Sequence, residues 1–468
     1  MSAKKKPAPV VPAQCPRSAS NFGLDLIGLA AGLFVIFGLL QWKAPIDAAM
    51  NLLPADWARM VDKRVVIAIL GCFAVFLTVG AGELFWVRSY RNASTGMALK
   101  PLRAADPERV MLRLFGLVCT LLVIGFVYWT LPEYGRSNNG FYDPFWGIAG
   151  TLIGLGVFLA PVYFTWTDRR LVDPHDAYWH LGNLVLHLIR GRLPEDLNGA
   201  VLRAHFAGWT VKSFFLPLMM NYFTGDVGTL GNMLPNLGNG EDLGWYHFLF
   251  EASYTVDLLF CIVGYAVTLR LFDSHIRSTE PTTFGWVIAL LCYQPFYSVF
   301  GSAYMHYDDS LYFDNLLPHG WFRNLWAAAI IGLLFVYSLS TVSFGLRFSN
   351  LTYRGIITSG PYRFCKHPAY LSKNLSWWLI SVPMVPDTHW YEGIRNCLIL
   401  GLVNLVYYLR ARTEENHLSK DPDYVAYALW MNEHGIMAWA GKLLPFLRYK
   451  PPAQPVEVPV VAPKPVRA

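Results

Sequence analysis

The sequence predicts an all-α, polytopic membrane protein with about ten transmembrane helices. Hydrophobic residues make up 54% of the 468-residue chain and charged residues only 15%, whereas a soluble domain usually carries about 25% charged residues. A helix needs about 20 mainly apolar residues to cross the hydrocarbon core of a bilayer, which is roughly 30 Å thick. Apolar runs of this length recur along the chain with polar loops between them, so a bilayer is the natural solvent for most of it.

Ten apolar stretches approach the length of a membrane span. Two of them are weak. The fifth contains Lys212, which is costly in lipid, and Pro217, which would kink a helix. The ninth is short and is followed by Pro386, so it could pair with the tenth as a tight helical hairpin. The stretches are Leu24–Leu40, Val65–Val87, Val110–Leu131, Phe145–Trp166, Phe206–Phe223, His247–Leu269, Phe284–Ala303, Trp321–Phe344, Tyr370–Val385 and Tyr391–Leu409.

The distribution of lysine and arginine among the loops predicts the orientation of the chain. These residues accumulate on the cytoplasmic side of membrane proteins. Loops 88–109, 167–205, 270–283 and 345–369 contain most of the loop lysines and arginines, and they share one side if all ten stretches cross the membrane. We therefore expect both termini to be cytoplasmic.

Composition divides the chain into four regions. Residues 1–23 and 451–468 are rich in proline and are predicted to be disordered tails. Residues 24–223 form an N-terminal transmembrane extension, and residues 247–446 form a C-terminal transmembrane module. Within the extension, segment 168–205 places apolar residues at helical spacing among polar ones, which predicts an interfacial amphipathic helix on the inner face.

Charge and cysteine usage argue against nucleic-acid and metal sites. The net charge of +6 comes partly from tails and loops, which indicates contact with anionic lipid headgroups. No extended basic helix or zinc-finger spacing points to nucleic acid. The seven cysteines are scattered without a CxxC pair, so we expect reduced packing residues. The loop around His306 and Asp308 has no regular ligand spacing and is predicted to be an ordinary wet loop.

A first polar motif follows the eighth stretch and reads GPYRFCKHPAY, with Gly360 and Pro361 forming a turn signal. A helix is predicted to begin near Pro368, because proline is favoured in the first helical turn. The positive end of that helix would lie beside Arg363, Lys366 and His367, and together they would form an anion-binding corner. The simpler reading is that these cations only mark the cytoplasmic side.

A second polar motif, RARTEENHLS, closes the tenth stretch. On a continuing helix, Arg410 and Glu414 are four residues apart on one face, and Arg412 and Glu415 are three apart on another. A basic and an acidic corner at one membrane surface suit a zwitterionic cofactor with an amino-acid end and a ribose. The simpler reading is a solvated helix end, although negative charge is unfavourable at a helix C-terminus.

Several polar residues fall inside the apolar stretches, where they are costly unless they have a partner or face a cavity. Glu83, Glu251 and Asp257 are the acidic examples, and a structural pairing is as well supported for them as a substrate role. Lys373 and Asn374 lie one turn inside the ninth stretch. There Lys373 is expected to snorkel and Asn374 to line a cleft.

Taken together and in this order, the two motifs and a later DYVAY resemble the C-terminal half of the isoprenylcysteine carboxyl methyltransferase family, over roughly residues 320–430. The resemblance implies S-adenosylmethionine bound in a cytoplasmic cleft, which the C-terminal segment roofs, and a lipid-attached acceptor that enters between helices. It also implies that Arg410 and Glu415 lie near the acceptor as the catalytic pair. The cofactor would be held by Tyr362, Lys366, His367, Tyr370 and Glu414, to which the anion-binding corner adds Arg363.

The implied chemistry is an in-line methyl transfer, in which the rate depends on position and on the exclusion of water. An arginine can steer a carboxylate acceptor, which needs no base. An amine acceptor would need proton removal, for which Glu415 or His367 are candidates. The sequence does not identify the acceptor among isoprenylcysteine carboxylates, phospholipid amines and other polar lipids.

Two departures from the family keep other functions open. Lys366 stands where the family often has arginine, which loses a bidentate fork but keeps the charge. The total of ten stretches is similar to that of sterol C14-reductase-type membrane enzymes, which share a related C-terminal fold. The alternative is therefore an NADPH-dependent reductase of a sterol or isoprenoid double bond. A non-catalytic lipid-binding or transport protein is a third class. The charge bias fits a bacterial inner membrane or an endoplasmic reticulum membrane equally well.

Overall fold

The computed structural model describes residues 12–42, 44–51, 62–135, 140–239, 242–298, 306–307, 312–386 and 388–451. The described part is mostly helical and has almost no strand. Its N-terminal helices are α1 (Phe22–Gln41), α2 (Ala44–Asn51), α3 (Lys63–Ala81), α4 (Pro107–Thr130), α5 (Asp143–Asp168), α6 (Ala177–Ile189) and α7 (Gly199–Met233).

The C-terminal helices follow in the same order along the chain. They are α8 (Gly244–Ala266), α9 (Thr283–Leu290), α10 (Phe313–Leu316), α11 (Trp321–Val342), α12 (Pro368–Ser381), α13 (Trp390–Leu418), α14 (Pro422–His434) and α15 (Ala438–Leu443). One short antiparallel pair, β1 (Ser278–Thr279) with β2 (Thr352–Tyr353), joins two connecting loops.

Seven helices of the described chain are long and apolar enough to cross a membrane: α1, α3 with its π-helical continuation to Val87, α4, α5, α8, α11 and α13. This finding supports an integral membrane protein. The other three predicted stretches take different forms. The fifth lies inside the 35-residue α7, and the ninth is the 14-residue α12. The described part of the seventh, up to residue 298, consists of the eight-residue α9 and a series of turns. A helix as short as α12 is roughly 21 Å long, so it cannot cross the hydrocarbon core alone. The count of ten spans and the cytoplasmic termini stay predictions.

Helix α8 is the centre of the bundle, and it packs against α3, α7 and α11. The largest apolar core lies between α1, α3, α7 and α8, where Val75, Phe215 and Leu259 are fully buried. This core joins the predicted N-terminal extension to the C-terminal module. On the side of α8 that faces α11, Asp257 accepts a hydrogen bond from Tyr337.

The predicted interfacial segment contains helix α6, which packs along α4. Gly116 and Gly182 allow this contact, because a Cβ atom at either position would overlap the backbone of the other helix. Arg113 of α4 also forms a buried ion pair of 2.6 Å with Asp176, the N-cap residue of α6. One face of α6 is therefore covered by protein, while Ile189 at its end is exposed. Its position at a membrane surface stays a prediction.

The N-terminal tail prediction falls partly outside the described residues, which begin at Pro12. Residues 12–21 do not behave as a free tail, because they run along the loop that precedes the first motif. The Ala19 amide donates to the Ile356 carbonyl at 2.8 Å, and the Thr358 hydroxyl donates to the Pro16 carbonyl at 2.8 Å. This segment therefore fastens the start of α1 to the C-terminal module. The predicted C-terminal tail lies outside the described residues after Pro451.

Candidate active site

A cavity opens between α8, α9, α11, α12 and α13 and the loop that leads into α12. It contains about 1150 Å³ of empty space including its mouth. The first polar motif and the second polar motif both contribute to its wall. The helix α12 begins at Pro368 as predicted, and Ala369 in its first turn lines the cavity. The positive end of α12 therefore borders this space.

Five of the eight predicted site residues line the cavity, and the other three lie beside it. The lining residues are Tyr362, His367, Tyr370, Arg410 and Glu414. Arg363 is exposed, whereas Lys366 and Glu415 pair with each other next to the cavity wall. The structure thus brings the two motifs together and separates the predicted residues into two groups.

Tyr370 and Glu414 make the contact that joins the motifs inside the cavity. The Tyr370 hydroxyl donates a 2.8 Å hydrogen bond to Glu414 Oε2. The His367 ring stacks on the Tyr370 ring, with centroids 5.5 Å apart and an angle of 5° between the planes. This arrangement fixes the Glu414 carboxylate and the imidazole on the same wall.

Glu415 forms a separate ion-pair cluster, hereafter the Glu415 cluster, with Lys366, His367 and Arg412. Its Oε1 atom lies 2.7 Å from Lys366 Nζ and 3.2 Å from His367 Nε2, and its Oε2 atom lies 2.6 Å from Arg412 Nη1. The carboxylate is only 3% exposed. Both of its oxygen atoms are occupied by cationic partners, so its geometry is that of a buried structural anchor.

Arg410 is held rigidly in the cavity wall. Its Nη2 atom donates to Asn350 Oδ1 at 2.6 Å and to the Tyr293 hydroxyl at 3.3 Å. The guanidinium also lies over the rings of Tyr293 and Tyr370, 5.3 and 5.1 Å from their centroids. A stacked guanidinium of this kind keeps donors available for an oxyanion while its position is fixed.

The segment after α13 covers the loop of the first motif. The Tyr427 hydroxyl on α14 donates to the Tyr362 carbonyl at 2.6 Å, and the Ile436 amide donates to the Phe364 carbonyl at 2.9 Å. Burial raises the pKa of Tyr362 well above its ordinary value, so its phenol stays neutral. These contacts place helix α14 over the loop that holds Tyr362.

Arg354 fixes the loop between α11 and the first motif to the end of α8. It donates to four backbone carbonyls: those of Gly264 and Val267 near the end of α8, of Ser274, and of Phe348. Burial and the nearby Arg347 lower the pKa of Arg354 to about 9. In the sequence this residue looked like one more loop cation, because a bond to distant carbonyls leaves no local pattern.

The inner end of the cavity is polar, and sequence reasoning identified it only in part. Asp257 of α8 accepts a 2.7 Å hydrogen bond from the Tyr337 hydroxyl and another from Thr341. Lys373 lines this end. Asn374 instead donates to the Tyr370 carbonyl at 2.7 Å. The costly charges at Asp257 and Lys373 were a usable signal, but their partners on α11 were not predictable.

The opposite wall holds a histidine and a carboxylate that the sequence did not single out. His417 Nε2 lies 2.9 Å from the Ser278 hydroxyl, and its Nδ1 lies 3.8 Å from Glu280 Oε2. Both His417 and Glu280 line the cavity. Among the described residues, no group of three or more histidine, cysteine, aspartate or glutamate side chains is arranged to hold a metal ion.

Comparison with known protein families gives one match. Residues 325–420 match the family described as Isoprenylcysteine carboxyl methyltransferase (ICMT). The matched region runs from within α11 to the end of α13, and it contains both motifs. Searches of curated proteins and of solved structures returned no significant match. The match agrees with the resemblance that the two motifs predicted, and it covers the C-terminal region alone.

Proposed function

We propose that this protein is an integral-membrane, S-adenosylmethionine-dependent methyltransferase that acts on a lipid-embedded acceptor. One observation supports the proposal above the others: His367, Tyr370, Arg410 and Glu414 line a single cavity within the family-matched region. The cavity also extends inward to Asp257 on the central helix α8. A site that joins a polar mouth to the interior of an apolar bundle suits a water-soluble donor and a lipid acceptor.

The chemistry of the mouth fits a zwitterionic nucleoside cofactor. The Glu414 carboxylate and the Tyr370 hydroxyl that bonds to it would bind the ammonium or the ribose hydroxyls of the cofactor. His367 and the first-turn amides of α12 would bind the carboxylate. Tyr362 supplies an aromatic wall. One wall of the cavity thus has groups for the positively charged and for the negatively charged part of the cofactor.

S-adenosylmethionine held by these residues would supply an electrophilic methyl group to a lone pair of the acceptor oxygen, and the electrons of the broken carbon–sulfur bond would stay on sulfur. The protein contributes by aligning the methyl donor with the acceptor and by excluding water from both. Arg410 is placed to orient an acceptor carboxylate, since its guanidinium is fixed by Asn350 and two aromatic rings. A carboxylate acceptor needs no proton removal. Its product is a neutral methyl ester.

The geometry assigns different roles to three predicted site residues. We propose that Glu415 positions the first motif through Lys366 and Arg412, and that it does not act on the acceptor. Lys366 acts in the same way from the other side of the ion pair. Arg363 is exposed and contributes charge to the surface around the mouth.

Titration of the purified protein in detergent with S-adenosylmethionine and with NADPH tests the proposal. We expect saturable binding of S-adenosylmethionine, a large loss of that binding in Glu414→Gln, and no binding of NADPH. Glu433→Gln is the matched control, because this exposed carboxylate on α14 pairs with Arg448 away from the cavity. Tight binding of NADPH without S-adenosylmethionine would overturn the proposal.

A specific observation supports the reductase alternative. Reduction of a carbon–carbon double bond needs a hydride and a proton donor, and the Tyr337 hydroxyl with its Asp257 partner lies at the inner end of the cavity. If the alternative is correct, Tyr337→Phe abolishes NADPH-dependent turnover. If the protein only binds or moves lipid, Glu414→Gln and His367→Ala leave every turnover assay unchanged.

A further inference from the structure

The inner end of the cavity contains Lys373, whose ammonium is surrounded by aromatic rings. Lys373 lies five residues after Pro368, about 8 Å further along α12. Its ammonium lies among three aromatic rings, 4.9 Å from the centroid of Tyr337, 5.5 Å from that of Trp377 and 5.7 Å from that of Tyr254. These rings come from α8, α11 and α12, so the cage is built by three helices.

The cage stabilises the charge of Lys373 but leaves its hydrogen-bonding capacity unused. Cation–π contacts favour a desolvated ammonium without accepting its three N–H groups in the way that an oxygen does. Within the described part of the chain, the ammonium has no hydrogen bond or ion pair, although it lines the cavity. Lys373 is half-buried and borders the cavity, so an acceptor oxygen of a ligand can reach the N–H groups that no protein oxygen among the described residues contacts.

The nearby Asp257 does not satisfy the lysine. Its two carboxylate oxygens accept hydrogen bonds from Tyr337 and Thr341. Tyr337 belongs both to this carboxylate pair and to the aromatic cage. Asp257 therefore leaves the Lys373 ammonium available to the cavity, which both residues line.

We propose that Lys373 is a specificity-determining residue that binds an oxyanion of the lipid acceptor at the inner end of the cavity. The inference rests on the proposed methyltransferase function, because it assigns the second substrate of the same site. It selects acidic lipids, which bear a carboxylate or a phosphate, over amine or alcohol lipids of the same chain length. Arg410 and Lys373 then hold the acceptor from two sides of the cavity.

Binding of matched C18 lipids to the purified protein tests this inference. The probes are oleate, oleyl phosphate, oleyl alcohol and oleylamine, each measured with and without saturating S-adenosylmethionine. We expect the two anions to bind at least about tenfold more tightly than the alcohol, since a charge-assisted hydrogen bond contributes about 1.5–3 kcal/mol. The difference between oleate and oleyl phosphate then shows which anion fits. Preference for oleylamine, or equal binding of anion and alcohol, would refute the inference.

Variants separate recognition by Lys373 from a structural role. In Lys373→Met, we expect the preference for anions over the alcohol to fall by roughly 10–100-fold while S-adenosylmethionine binding stays within about twofold. Lys373→Arg should restore part of the preference. Lys212→Met is the control, because Lys212 is a second lysine in an apolar setting, 4.5 Å from the Trp209 ring centroid, but it bonds to Thr268 away from the cavity.

The two proposals can fail separately in these experiments. Absence of S-adenosylmethionine binding in the wild-type protein contradicts the proposed function. Normal S-adenosylmethionine binding with an unchanged anion preference in Lys373→Met contradicts only the inference about Lys373. If Lys373→Met does not fold, Lys373→Gln is measured by the same ratio, which cancels a uniform loss of active protein.

Discussion

The cavity wall and the Glu415 cluster lie side by side but use the same residue types in opposite ways. In the wall, Glu414 has one hydrogen-bond partner among the described residues, Tyr370, and it lines the cavity. In the cluster, the adjacent Glu415 contacts Lys366, His367 and Arg412. Consecutive residues on a helix point about 100° apart, so one glutamate can face the cavity while the next anchors the fold. The difference leads to the prediction that Glu414 affects ligand binding and that Glu415 affects stability.

Replacement of Glu414 should give the largest effect on activity. In Glu414→Gln, we expect methyl transfer to fall by roughly 10–100-fold, because the loss of a charged partner for the cofactor costs about 1.5–3 kcal/mol. The melting temperature should change by less than about 2 °C, since Glu414 forms only one protein hydrogen bond here. Single-turnover transfer of radiolabelled methyl and a thermal melt in detergent measure the two quantities. If Glu414→Gln lowered the free energy of unfolding as much as it raised the barrier to methyl transfer, Glu414 would be a structural residue like Glu415.

Replacement of Glu415 should give the reverse pattern. Glu415→Gln leaves Lys366, His367 and Arg412 close together without their carboxylate, and breaking a buried ion pair from one side costs about 3–5 kcal/mol. Denaturant unfolding measures the free energy of unfolding. The double variant Glu415→Gln/Lys366→Met should recover part of the loss, because it removes one uncompensated charge. Full stability with complete loss of activity would instead return Glu415 to the catalytic role that the sequence predicted.

The contact from the C-terminal segment provides a smaller test of the cavity wall. In Tyr427→Phe, the Tyr362 carbonyl loses its 2.6 Å hydrogen bond, which costs about 1–2 kcal/mol for a buried group. We expect S-adenosylmethionine binding to weaken by roughly 5–20-fold without loss of folding. Tyr424→Phe is a matched control on the same helix, because its hydroxyl has no hydrogen-bond partner among the described residues. Equal effects of the two variants would show that the roof does not act through Tyr362.

Local features of the site were predictable, and long-range contacts were not. The helix start at Pro368 and the i, i+3 pairing of Arg412 with Glu415 follow from local geometry. By contrast, the position of Asn350 beside Arg410 depends on contacts between residues 60 apart in the chain. The same limit applies to the membrane spans, where hydropathy predicted a span at Phe284–Ala303 but the helix described there is the eight-residue α9.

Residues 12–21 show how composition misled the prediction at the N-terminus. Proline and alanine suggested a disordered tail, but the segment bonds to the loop at residues 356–359. Gly355 has a positive φ of +115° and lies against Ala19, so the loop makes room for this segment. A proline-rich strand can be ordered when a partner supplies the hydrogen bonds that it cannot form alone.

Arg363 should give the smallest effect, and it tests whether charge near the mouth is enough to make a binding residue. Its side chain is exposed, and surface substitutions usually change stability by less than about 0.5 kcal/mol. We expect Arg363→Ala to bind S-adenosylmethionine within about twofold of the wild type at 150 mM salt, where exposed charges are screened beyond roughly 8 Å. Titrations at low and at physiological salt measure this. A tenfold loss that persists at physiological salt would mean that Arg363 contacts the cofactor directly, and the exposed side of the first motif would then belong to the cavity wall.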